Sequence, residues 1–156
     1  MNWVDLAVLV LIGTIAAAEV KRGFGPALFT VVGAFLALKL ALWWCAPLSR
    51  VLHLSALPGP NTSIVFVLLF VALNLVVAII TYVANPDSFL SAEPFDGALG
   101  GICGFVTGWI VSYALYQALG LWGAAKLVGG SLFALEIIHF QTYHRVLALL
   151  RHFGEV

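Results

Sequence analysis

Between Asp96 and Ser112 five glycines, Gly97, Gly100, Gly101, Gly104 and Gly108, recur at helical spacing inside an apolar run. In a water-exposed helix each would cost about 1 kcal/mol relative to alanine. Five together are therefore difficult to reconcile with a soluble helix. In lipid the balance reverses, because hydrocarbon gives apolar side chains no reason to associate. Helices there pair by close backbone approach across small residues. The stretch reads as a helix-packing face, and the rest of the chain as its partners.

Composition agrees. Of the 156 residues, 63% are hydrophobic and 9% are charged, against about 25% charged in soluble proteins. The sequence has room for about four spans of roughly 20 residues, and they are expected at residues 3–20, 26–46, 64–84 and 97–121. Formal net charge is zero, which removes the basic field that nucleic acid would require. Cys45 and Cys103 sit in or beside apolar segments and read as small hydrophobes, not as a disulfide or metal framework.

The first segment is too long for a signal-peptide core and lacks a basic leader, so it reads as a retained helix. The turn Lys21-Arg22-Gly23-Phe24-Gly25-Pro26 supplies two cations for headgroups or a partner, and glycines for a tight reversal. If the chain folds back at Gly23, Asp5 and Lys39 reach similar depth on adjacent helices. Two arrangements fit: a buried ion pair, or a Lys39 that snorkels toward the Trp43-Trp44 belt. Pro58-Gly59-Pro60-Asn61 reads as a loop. Asn74, the polar residue near the middle of the third span, is expected to bond across a helix interface. Residues 85–96 are acidic, with Asp87, Glu93 and Asp96; Asp96 is placed to cap the fourth helix.

After Trp122, residues 123–156 are expected to form a tail separate from a 1–122 membrane domain. Gly129-Gly130-Ser131 breaks it. An amphipathic helix from Leu132 to Phe153 should then lie at the membrane surface or dock on the bundle. Glu136-Ile-Ile-His139 has the spacing of half a di-metal site, but the second copy and further carboxylates are missing. No Gly-x-Ser-x-Gly, His-Glu-x-x-His or P-loop occurs. No catalytic set, cofactor or metal is expected. Charge near the span ends leaves orientation tied, with Lys21 and Arg22 on one side and Arg50 and Lys126 on the other.

Trp3 to Leu9, the Lys21-Arg22-Gly23-Phe24 turn, and Phe95-Asp96 with Leu99-Gly100, Gly104 and Gly108 together resemble the CvpA family, the colicin V production proteins. The resemblance runs from residue 3 to about 120. It implies a four-span bacterial inner-membrane protein linked to colicin V production or export and to envelope stress tolerance, with no established activity. Similar modules anchor membrane serine proteases, and no such domain is expected here. The chain departs from the family pattern where Asp96-Gly97 replaces Asp-Arg and Thr107-Gly108 replaces Arg-Gly.

The expected protein is thus an all-α bundle of four transmembrane helices with a C-terminal amphipathic interfacial helix. It would act non-enzymatically as an accessory or scaffold in toxin production and envelope homeostasis. Its partners would be the bilayer, other membrane proteins and further copies of itself. The competing reading is a small transporter or oligomeric channel using Asp5, Lys39 and Asn74.

Overall fold

The structure is a computed structural model that describes residues 2–84 and 94–141. It contains four long helices, α1 (Trp3–Arg22), α2 (Phe24–Val51), α3 (Pro58–Ala84) and α4 (Asp96–Trp122), followed by the short α5 (Ala125–Gly129) and α6 (Leu132–His139). No strand occurs among the described residues. The four long helices each have the length and apolarity to cross a membrane. At 1.5 Å per residue, the 27 residues of α4 reach about 40 Å, longer than the roughly 30 Å hydrocarbon layer.

The helices alternate in direction, and α4 is the element on which the others rest. It packs along α1, α2 and α3 and also receives α5 and α6. Two apolar clusters lie on either side of its second half. Ala114 and Ala118 join Ala37, Leu38, Ala41 and Cys45 of α2 and Phe66 and Phe70 of α3. Tyr116 joins Val4 and Val8 of α1 and Ala134 and Ile137 of α6.

The first half of α4 contains the glycines, and they meet α1 backbone to backbone. A Cβ added at Gly104 would lie 2.7 Å from the Ala16 Cα, and one at Gly108 would lie 2.8 Å from the Ile12 Cα. At Gly100 it would stand 2.6 Å from the Glu19 carbonyl oxygen, and at Gly101 2.8 Å from Val20 Cγ2. Gly97 is looser, 3.5 Å from the Val20 carbonyl. At Gly100, Gly104 and Gly108 such an approach leaves no room for a side chain on α4.

Several element boundaries differ from expectation. α2 runs through Pro47 to Val51, beyond the expected end at residue 46. Pro47 removes one backbone donor near the helix end, beside the exposed Trp43 and Trp44, and membrane helices tolerate such a loss. Pro58-Gly59-Pro60-Asn61 is not a loop but the first turn of α3. First-turn N–H groups have no helical acceptor, so prolines there sacrifice no bond. The tail helix expected through Phe153 ends at His139. Phe140 turns left-handed at φ 49°, and its ring stacks on Trp109 at 5.9 Å. Of α6, Ala134 and Ile137 face the bundle whereas Leu132 and Leu135 are exposed. The remainder of that expected helix, and Asp87 and Glu93, lie outside the described residues.

Gly104→Leu should abolish the folded monomer in detergent, whereas Gly13→Leu should leave it intact, because nothing stands within 4 Å of a Cβ at Gly13. Size-exclusion profiles and thermal unfolding of the two variants check this.

Candidate functional site

The two buried carboxylates of α1, Asp5 and Glu19, lie near its two ends. At its N-terminus, Asn2 caps the helix by accepting from the Trp3 N–H at 2.7 Å, and Asp5 accepts from the Asn2 N–H at 2.7 Å. Asp5 is fully buried. Its Oδ1 also accepts from the Ser131 hydroxyl and from the Phe133 N–H at 3.3 Å. Ser131 has a single proton, committed to Asp5. Tyr116, 2.6 Å away, is therefore the donor to the Ser131 oxygen. The same oxygen accepts from the Ala134 N–H at 3.2 Å and caps α6. Asn2 adds a bond from its amide to the Leu127 carbonyl at 3.3 Å. A carboxylate on the first turn of α1 thus holds α4 and the chain that follows it.

At the opposite end of α1, Glu19 is 3% exposed. Arg22 donates to its Oε1 at 2.9 Å, while Oε2 is buried without a partner. Gly23 links α1 to α2 in a single residue, at φ 87°, and its N–H donates to the Glu19 carbonyl at 3.0 Å. A side chain there would meet both a left-handed backbone and the Asp96 carboxylate. Lys21 and Arg22 are exposed beside the turn.

Asp96 does not cap its own helix, whose N-cap position is Phe95. Its Oδ1 accepts from the Phe24 N–H at 3.0 Å and so serves the start of α2, whose own cap residue is a glycine with no side chain to offer. The first turn of α4 is thereby tied to the α1–α2 turn.

The ion pair between Asp5 and Lys39 does not form. Equal depth is not adjacency: the glycine seam draws α1 onto α4, α1 touches α2 only slightly, and Lys39 is exposed on α2. Asn74 does not bond across an interface either. Its amide donates to the Phe70 carbonyl of its own helix at 2.8 Å, the local alternative open to a short polar side chain. Asp5, Lys39 and Asn74 therefore do not converge on one site. Below its first turn α3 bonds to α4 through Ser63, whose hydroxyl donates to the Ala118 carbonyl at 2.8 Å.

Tyr116 and Asn61 were not expected to take part, and Ser131 was expected only to belong to the Gly129-Gly130-Ser131 break. Asn61 closes the α2–α3 turn. It accepts from Leu54 and Ser55 N–H groups at 2.7 and 3.1 Å and donates to Ser49 and Leu52 carbonyls at 2.8 and 2.9 Å. Its place after Pro-Gly-Pro was the available signal. Both cysteines are free. Among the described residues, no group of three or more His, Cys, Asp or Glu could hold a metal ion.

A family model, colicin V production protein, matches residues 4–139. The chain belongs to the colicin V production protein family. The matched region opens one residue before Asp5 and closes with α6, so it takes in both partners of the Asp5–Ser131 bond. Four helices able to span a membrane fit a four-span member of this family. No curated protein and no solved structure matches the chain.

Asp5→Asn should destabilise the bundle by roughly 1–3 kcal/mol, because the amide turns a donor toward groups that already donate. In a double-mutant cycle with Ser131→Ala, the two losses should fall short of additive. Asp96→Ala should cost about 1 kcal/mol and Asp96→Asn much less, since asparagine retains the acceptor. Equilibrium unfolding in detergent checks both.

Proposed function

We propose that this family member is a non-enzymatic scaffold or accessory subunit of the bacterial inner membrane, acting in colicin V production or export and in envelope homeostasis within a larger membrane assembly. The supporting observation is where the intramembrane polar groups go. Asp5 is bonded to Ser131, Asp96 to Phe24, Ser63 to Ala118, and Asn74 to its own helix. Groups bonded within the bundle in this way do not form a path for a substrate or an ion, and Glu19, with one oxygen unpartnered, is the exception among the buried carboxylates. Meanwhile α2 and α3 present wide apolar faces, including Val32, Phe35 and Leu36 on one and Val71, Leu75 and Ile79 on the other. These faces offer surface to lipid, to other membrane proteins or to a second copy.

Cells lacking the protein and carrying a colicin V system provide the test. Lys39→Met and Asn74→Leu should restore toxin release to wild-type level, and Gly104→Leu should not. Purified protein in liposomes should conduct neither ions nor small solutes. Flux that disappears in Asn74→Leu or Asp5→Asn would establish the transporter reading and overturn the scaffold.

A further inference from the structure

The end of the bundle that holds the α2–α3 turn contains a polar cleft of about 400 Å³. Ser49, Arg50, His53, Ser55 and Thr62 line it, with Asn61 at its base. Asn61 gives the cleft a fixed shape. Its four bonds to residues 49–55 hold the turn in place, and its amide occupies two carbonyls at the end of α2. Those carbonyls would otherwise present negative potential to the cleft. The start of α3 forms the opposite wall and brings the positive end of a helix dipole.

The charge of the cleft has one sign. Among the described residues, Arg50 has no carboxylate partner, and no Asp or Glu lines the cleft. Antiparallel packing puts Glu19, Asp96 and the start of α4 at the far end of the bundle. Two acids share this end: Asp5 is buried and already bonded, and Glu136 lies on α6, outside the residues that line the cleft. An unpaired guanidinium beside an imidazole and a serine hydroxyl is a donor set for a phosphate.

Around the α2 surface, Arg50 lies next to a second, apolar groove. Trp43, Trp44, Pro47, Leu48 and Val51 line it, and Trp43 is 77% exposed. Pro47 and Trp43 stand about one and two helical turns closer to the middle of α2 than Arg50. A phosphate seated against Arg50 would leave an attached acyl chain running down this groove into the bilayer. Free phosphate would use the first feature and not the second.

We propose that the α2–α3 turn is a binding site for an anionic phospholipid, its headgroup phosphate held by Arg50, His53 and Ser55 and its acyl chain lying along Trp43, Pro47 and Val51. The site would fix the depth of the α2–α3 hairpin in the membrane and give the protein a preference for anionic bilayers.

The test uses the full chain in detergent, with native mass spectrometry after titration of phosphatidylglycerol, phosphatidylcholine or inorganic phosphate. Phosphatidylglycerol should bind more tightly than phosphatidylcholine. Arg50→Gln should weaken the phosphatidylglycerol complex about fivefold, the value of one cation near an anionic surface, while Lys126→Gln should leave it unchanged. Arg50 is exposed and among the described residues makes no ion pair, and an unaltered size-exclusion profile confirms the variant is folded. Equal affinity for the two lipids, or full binding by Arg50→Gln, would overturn the proposal. Inorganic phosphate binding as tightly as the lipid would overturn the lipid as the occupant.

Discussion

The close approach of α4 to α1 is the contact that decides the rest of the architecture. With backbone atoms of Ala16 and Ile12 under 3 Å from where a Cβ would stand on Gly104 and Gly108, α4 puts no side chain between the two helices at those positions. In lipid, where apolar burial brings no net gain, dispersion across such a seam is a principal source of association. With α1 drawn to α4, it touches α2 only slightly. The second half of α4 is then free to meet α2 and α3 on one side and the returning α6 on the other.

The polar bonds lock what the seam arranges. Asp5 fastens the start of α1 to Ser131, and through it to Tyr116, across 126 positions of sequence. Asp96 fastens the start of α4 to Phe24, 72 positions away. Both ends of α1 are therefore tied to the neighbourhood of α4 by charge-assisted bonds. Helices so fixed make a rigid unit, which suits a part that other membrane components assemble upon.

Much of this was legible in the residues. Long apolar runs with few charges announce spans, and Gly23 after two cations announces a reversal, because both signals are local. The glycine face was also visible, but its partner was not named by spacing alone. What stayed hidden were destinations. Asp96 looks like the cap of its own helix until α2 is seen to start with a glycine. Asp5 and Lys39 look like partners if depth alone is considered, and only the seam shows why they are not. Asn74 could have bonded outward, and its own Phe70 carbonyl was nearer. Asn61 was masked by prolines that resemble a loop and instead begin a helix.

The account stands or falls on whether the glycine face meets α1 of the same molecule. Cysteines at Val20 and Gly97, in a chain with Cys45 and Cys103 replaced by alanine, test this directly, since Gly97 faces Val20, whose Cγ1 stands 3.8 Å from where a Cβ on Gly97 would lie. Oxidation in native membranes should give a cross-linked monomer, seen as a shift that reductant reverses. Cross-linked dimers with no intramolecular product would show that the glycines pair separate molecules, and would contradict the account.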